Sequence, residues 1–167
     1  GLDSVVLAHL IAELNFDISL AHCNFQLRGK ESDLDEAFVL RIAQEKTLPI
    51  FIKKIDTEIF AKKNKLSIQI AARQLRYDWF EELISEHHFD YVFTAHHADD
   101  NLETFLINLT RGSGLDGFTG IPAINRNIIR PLLIFSRDEI LTFAKEKNIE
   151  WREDESNSSI KYVRNKI

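Results

Sequence analysis

This sequence predicts an α/β fold, a parallel sheet with helices on both faces, and three observations carry that expectation. Short apolar runs alternate along the chain with longer stretches of helical periodicity. Most stretches between successive apolar runs are long enough to hold a crossover helix, which parallel strands require and hairpins do not. The 167 residues, 44% hydrophobic and 28% charged, suit one globular domain with a substantial core.

The elements follow in order. Val6, Leu7, Leu10, Ile11 and Leu14 fall on one helical face. No strand precedes that helix, so the chain is expected to enter its domain after the first strand. Residues 18–23 read as a buried strand. Ser32, with Asp35 three residues on, predicts an N-cap for a helix burying Phe38, Val39, Ile42 and Ala43. Pro49 ends that pattern, and Ile50, Phe51 and Ile52 form the second strand. Residues 56–66 are basic and lack a clear period. Ser67 predicts the cap of a long helix carrying Ile70, Ala71, Leu75, Trp79, Leu83 and Ile84. Residues 91–95 are a third strand, ending at His96-His97. Asp99 or Asp100 opens a helix with Leu102, Phe105, Leu106 and Leu109. Residues 111–122 hold four of the six glycines and must be a loop. Residues 127–133 are read as the strand of a last β–α unit, and Ser136 with Glu139 as the capping box of a helix to about Lys147.

Composition excludes several classes. Cys23 is the only cysteine. It rules out an internal disulfide, a Cys-based zinc cluster and an iron–sulfur cluster held by the chain's own thiolates. No apolar run is long enough to predict a membrane span, and Gly1-Leu2-Asp3-Ser4 lacks the features of a signal peptide, so a cytoplasmic setting is expected. In that setting the sequons at Asn108 and Asn157 carry no meaning. The 21 Lys and Arg against 26 Asp and Glu give a net charge of −5, which argues against a protein that chiefly grips nucleic acid. Residues 53–76, however, hold seven cations and two carboxylates, a local basic patch.

In parallel sheets, ligands sit at the carboxyl ends of the strands, here residues 24–28, 96–100 and 111–117. Gly1-Leu2-Asp3-Ser4 at a helix start offers backbone N–H groups, the helix dipole and a hydroxyl for a phosphate, and it reads equally well as an ordinary cap. Asp100 and Glu103 share one helical face, where two carboxylates suit Mg²⁺ or a substrate ammonium. The adjacent His96-His97 adds a dinuclear metal centre as an option, against the plain reading of an acidic helix start. Arg111-Gly112-Ser113 is a loop able to approach phosphates or a helix C-cap. Arg28, and Arg73 with Arg76 three residues on, put cations near the same edge or on a solvated face.

Together and in this order, these segments resemble the N-terminal catalytic domain of the tRNA(Ile)-lysidine synthetases, within the PP-loop ATP pyrophosphatase group. Gly1-Leu2-Asp3-Ser4 resembles the end of the family's Ser-Gly-Gly-x-Asp-Ser loop. His22-Cys23-Asn24-Phe25-Gln26-Leu27-Arg28-Gly29 and Ala72-Arg73-Gln74-Leu75-Arg76-Tyr77 resemble the next two blocks. Residues 96–104, 111–117, Gly120-Ile121-Pro122, Arg130-Pro131-Leu132-Leu133, Asp154-Glu155-Ser156-Asn157 and Arg164-Asn165 complete the pattern. Phe25 departs from it where a second His is usual, and Gln69 where Glu is common.

The resemblance implies a Rossmann-like fold of the adenine nucleotide alpha hydrolase type. It covers 1–167 as a single PP-loop domain shortened at both ends, with 148–167 leading toward further domains. ATP and Mg²⁺ are the implied cofactors. Gly1, Leu2, Asp3, Ser4, Gly112 and Ser113 would bind the nucleotide, and Asp3 would hold Mg²⁺ or accept a proton. Arg28, Arg73, Asp100 and Glu103 would bind substrate, and Asp3, Arg76, Asp100, Glu103 and Arg111 would serve catalysis. The implied partners are tRNA(Ile) with a CAU anticodon and free L-lysine, with no membrane and with room for a homodimer. In the implied reaction ATP adenylates the C2 oxygen of the wobble cytidine, and the lysine ε-amine then displaces AMP, changing the codon read from AUG to AUA. Another PP-loop tRNA-modifying enzyme such as a thiolase is the alternative, although the thiolases of this kind typically rely on paired cysteines. A non-catalytic nucleotide-binding module or a flavodoxin-like regulatory domain is the other.

Overall fold

The structure, a computed structural model, describes residues 1–14, 16–110 and 120–153. They form two compact units, Ile11–Val92, and Gly1–Leu10 with the described part of Phe93–Ile167. The class is α/β, as the sequence predicts.

In the Ile11–Val92 unit, β1 (Leu20–Asn24) and β2 (Ile50–Lys54) pair in parallel, Leu20 opposite Ile50 and Asn24 opposite Lys54. Helix α2 (Lys30–Glu45) connects them and buries Ile42 and Ala43. Its cap differs from the expected one. Gly29 is the N-cap, at φ 50, a left-handed turn that glycine adopts without steric cost. Ser32 lies inside the first turn, buried, and its hydroxyl accepts from the Arg28 N–H at 3.1 Å. The serine therefore ties down the residue before the helix instead of starting it.

Residues 56–66, which lack a clear period, contain α3 (Thr57–Asn64). Asp56 caps it by accepting from Ile59 N–H at 3.0 Å, and Lys65 closes it in a left-handed conformation. Lys62 and Lys63 occupy the last turn, where cations complement the helix dipole. Helix α4 (Ile68–His87) starts at Ser67 as expected, with the hydroxyl accepting from Ile70 N–H at 3.3 Å. Its buried row runs through Ala71, Trp79 and Leu83, while Ile70 stands off that row and is 56% exposed.

Helix α1 (Leu2–Glu13) buries Leu2, Val5, Val6, Leu7 and Ile11, a wider face than one stripe, and Leu14 just beyond it is exposed. The third strand, β3 (Val92–Phe93), is shorter than expected, and Thr94 N–H then donates to Ile129 O at 2.9 Å. Helix α5 (Ala98–Thr110) follows with Asp99 and Asp100 in its first turn. The strand expected at 127–133 is replaced by an antiparallel hairpin, β4 (Ile124–Asn125) with β5 (Ile128–Ile129), and a 3₁₀ turn (Pro131–Ile134). Arg126 at φ 52 makes the tight turn, and Pro131 has no N–H with which to extend a ladder. Leu132 anchors the 3₁₀ turn in the core at 2% exposure. Helix α6 (Arg137–Glu146) carries the expected capping box. Ser136 accepts from Glu139 N–H, while the Glu139 carboxylate accepts from the Ser136 N–H at 2.8 Å and from its hydroxyl at 2.7 Å, and these last two bonds hold that carboxyl below its usual pKa. Of the loop expected at 111–122, residues 111–119 lie outside the described residues.

Two neighbours on β1 set testable ionisation behaviour. Burial lowers the His22 pKa against the opposing pull of Glu36 and Asp35. As pH falls below the ordinary value of 6.5, the unfolded chain takes up this proton before the folded one does. The stabilising contribution is complete above that value and is lost as pH falls toward the lowered folded pKa. The melting temperature is expected to decline as the pH is taken from about 7 to about 5, and to decline less in His22→Gln. Equal slopes in the two proteins would contradict this origin. Burial pushes the Cys23 thiol up to about 11, against the pull of Arg76 and Lys53. Native protein at about pH 8 should therefore resist iodoacetamide until it is unfolded.

Candidate functional site

Three helices begin at one place in the unit formed by Gly1–Leu10 and the residues from Phe93 onward. Asp3 lies in the first turn of α1, Asp99 and Asp100 in that of α5, and Arg137 is the first residue of α6. The Asp3 carboxylate faces both other helices: Oδ1 is 3.8 Å from Arg137 Nε, and Oδ2 is 3.9 Å from His97 Nε2. Asp99 accepts from the Arg137 backbone N–H at 2.8 Å, so a side chain of α5 caps α6. Ala98 N–H donates to Phe135 O at 2.8 Å and fixes the start of α5 to the turn before α6. Each helix contributes partial positive charge at its N-terminus, so their junction favours anions.

His97 stands at the centre, 5% exposed. Its Nε2 lies 3.5 Å from Asp100 Oδ2 and its Nδ1 lies 3.6 Å from Asp99 Oδ2. Its backbone N–H donates to Asp100 Oδ2 at 3.0 Å, which makes Asp100 the cap of its own helix. Two atoms here, Asp3 Oδ1 and His97 Nδ1, are buried and have no hydrogen-bond partner among the described residues. Buried polar atoms are nearly always satisfied, so such a pair marks a place for a ligand. His96 faces elsewhere, its Nδ1 3.0 Å from Thr94 Oγ1.

One residue beyond Asp100, Asn101 Oδ1 accepts from Ile121 N–H at 2.6 Å. Arg130, 5% exposed, donates to Pro122 O at 2.7 Å. These two bonds hold the chain where it returns from residues 111–119. Gly120 has φ +63, and a Cβ there would strike Asn101 Oδ1.

The residues singled out by sequence fall as follows. Asp3 and Asp100 meet through His97. Glu103, three residues on from Asp100 along α5, has no hydrogen bond or ion pair among the described residues. Gly1 and Ser4 are exposed at the start of α1, and Leu2 is packed in the core. Arg111, Gly112 and Ser113 lie outside the described residues. In the Ile11–Val92 unit, Arg28 binds Asp35 at 2.6 Å, Arg73 stacks on Tyr77 at 4.8 Å, and Arg76 stacks on Phe25 at 5.2 Å. Asn24, at the carboxyl end of β1, donates to Glu36 at 2.8 Å and accepts from Gln26 N–H at 3.0 Å, fixing the turn that carries Phe25 and Arg28.

Asp99, Asn101, Arg130 and Arg137 have structural parts in the site that local sequence reasoning misses. The Asp99–Arg137 bond spans 38 residues, and no spacing rule reaches that far. The described residues contain no cluster of three or more His, Cys, Asp or Glu side chains arranged to cage a metal, so a dinuclear centre on His96-His97 is not formed by them. Mg²⁺ has a lesser requirement, one or two carboxylates alongside phosphates and water, and the Asp3 carboxylate, whose Oδ1 lacks a hydrogen-bond partner and lies 3.8 Å from Arg137 Nε, fits it. No helix among the described residues is long and apolar enough to cross a membrane.

Comparison with known proteins adds to this geometry. A family model described as a PP-loop domain matches residues 1–167. The tRNA(Ile)-lysidine synthase of Porphyromonas gingivalis is 45% identical over 168 residues, covering 100% of this chain and 37% of that protein. Those of Chlorobaculum tepidum and Petrotoga mobilis are 44% and 39% identical, again over 100% of this chain and over 52% and 55% of their own lengths. The chain thus spans less than two thirds of the length of these curated relatives. The solved U34-tRNA thiolase NcsA of Methanococcus maripaludis, with its 4Fe–4S cluster, superposes with a TM-score of 0.73 at 18% identity, covering 92% of this chain and 56% of that one. That likeness establishes the fold.

The Asn101 latch has a direct test. Gly120→Ala should destabilise the protein by about 1–3 kcal/mol, through the left-handed backbone and the clash with Asn101. Adding Asn101→Ala should recover part of that loss, because it removes the struck atom. Urea unfolding of the two single variants and the double variant measures the coupling; strict additivity would refute the contact.

Proposed function

Because this chain belongs to the PP-loop domain family, we propose that it is the ATP-using catalytic domain of a tRNA(Ile)-lysidine synthase. The observation that carries the reading is the junction of three helix N-termini around Asp3, His97 and Arg137. Such a junction suits a polyphosphate, and it occurs in a chain 45% identical to an enzyme of that name.

In this reading, ATP adenylates the C2 oxygen of the wobble cytidine and pyrophosphate leaves. The ε-amine of free L-lysine then attacks C2 and displaces AMP. Gly1, Leu2, Asp3 and Ser4, with Gly112 and Ser113, bind the nucleotide. Asp3 would hold Mg²⁺, and the ion would supply charge that offsets the phosphates. Asp100 and Glu103 present carboxylates one helical turn apart, a spacing that grips an ammonium from two sides. The amine must lose a proton before it can attack, and these carboxylates are the acceptors at hand. Arg76 and Arg111 offset negative charge that develops as the reaction proceeds. Arg28 and Arg73 contribute cations for tRNA(Ile) with its CAU anticodon. A cytoplasmic setting and a homodimer belong to the same reading.

The thiolase alternative is weaker on one particular residue. Cys23 is the only cysteine, and its pKa is pushed up to about 11 by burial, which suppresses the thiolate that sulfur transfer needs.

The test is incorporation of labelled lysine into tRNA(Ile) by the full-length protein. Incorporation is expected only with ATP and L-lysine, with AMP and pyrophosphate as products. Glu103→Gln is expected to raise the KM for lysine at least about tenfold, the scale of one lost charge-assisted contact. Sulfur transfer, or lysine-independent product, would overturn the assignment.

A further inference from the structure

Asp3 and Asp100 stand 97 residues apart in sequence, and in the structure a single ring nitrogen faces both. His97 Nε2 is 3.9 Å from Asp3 Oδ2 and 3.5 Å from Asp100 Oδ2. Both separations exceed a hydrogen bond, and a shift of several tenths of an ångström would complete either one. In the tautomer that carries its single hydrogen on Nε2, the imidazole donates well to one carboxylate at a time. The ring is 5% exposed, which leaves little room for water to substitute. Asp99, itself fixed by the Arg137 N–H, borders the opposite ring nitrogen at 3.6 Å.

We propose that His97 is a positioning residue that couples the nucleotide end of the site, at Asp3, to the amine end, at Asp100. The inference rests on the ligase reading above. When the nucleotide and its Mg²⁺ engage Asp3, that carboxylate no longer competes for the Nε2–H, which closes on the nearer Asp100 Oδ2. That oxygen already accepts the His97 backbone N–H at 3.0 Å. Two donors from one residue then fix the carboxylate and leave Oδ1 for the lysine ammonium. Nucleotide therefore tightens lysine binding, and by linkage lysine tightens nucleotide binding by the same factor.

Calorimetric titration of the full-length protein with L-lysine, with and without saturating Mg²⁺ and α,β-methylene-ATP, measures this factor. In the unmodified protein the Kd for lysine should fall about fivefold or more when nucleotide is present, the lower range of typical couplings. His97→Gln carries an amide N–H near the Nε2 position and should keep part of the ratio. His97→Asn carries its amide near the Nδ1 position and should bring the ratio to about one. His97→Leu should do the same, and the two amide variants decide the matter if the leucine variant does not fold. A ratio of one in the unmodified protein, or an undiminished ratio in His97→Asn, would overturn the coupling with the ligase reading intact. Failure of the unmodified protein to bind either L-lysine or the nucleotide would overturn both.

Discussion

Three helix N-termini cannot be brought together without negative charge among them. Each carries several backbone N–H groups without intrahelical partners and about half a positive charge. The carboxylates of Asp3, Asp99 and Asp100 answer that requirement, with buried His97 between them. Much of the unit that holds them follows from this constraint. Asp100 spends one oxygen on the amide of His97, and Asp99 spends one on the amide of Arg137. Asp3 keeps Oδ1 without a hydrogen-bond partner, which is the departure from full satisfaction that a ligand would complete.

The bonds that hold this junction each engage a backbone group elsewhere in the chain, two of them through a side chain. Ala98 donates to Phe135, Asn101 accepts from Ile121, and Arg130 donates to Pro122. They tie the start of α5 to the hairpin and to the turn before α6. Replacing the strand expected at 127–133 with a hairpin and a 3₁₀ turn is part of the same arrangement. Pro131 stops the ladder, Leu132 anchors the turn in the core, and Phe135 offers its carbonyl to α5.

What was legible in the sequence is what depends on neighbours within about four residues. The Ser67 cap, the Ser136–Glu139 box and the acidic start of α5 are readable by that rule, and the parallel pair β1–β2 by the helix-length connection between its strands. Ser32 misled because a hydroxyl near a helix start can cap the helix or the residue before it, and only the backbone angle at Gly29 decides. Helix α3 was hidden because its apolar face is short, Thr57 and Ala61 being its buried residues. In the candidate site, Asp3, Asp100 and Glu103 stood out by motif. The central place of His97 did not, since it comes from Asp3, 94 residues away, and that contact exists only in the fold.

Charge makes the same point at larger scale. By sequence, residues 53–76 carry seven cations against two carboxylates. In the fold, Lys53 pairs with Glu82, and Lys54 with Glu36 at 3.2 Å and Asp33 at 3.5 Å, so two of the seven are neutralised within their own unit. Lys62, Lys63 and Lys65 remain exposed around the end of α3, without ion pairs among the described residues. Arg73 and Arg76 lie over the rings of Tyr77 and Phe25. A guanidinium stacked on an aromatic ring keeps its charge and presents a flat face, the combination that receives phosphates and bases together. The cations of residues 53–76 left without a carboxylate partner are therefore fewer than composition suggests. Part of the overall charge of −5 is likewise gathered at one place, the helix junction that holds Asp3, Asp99 and Asp100.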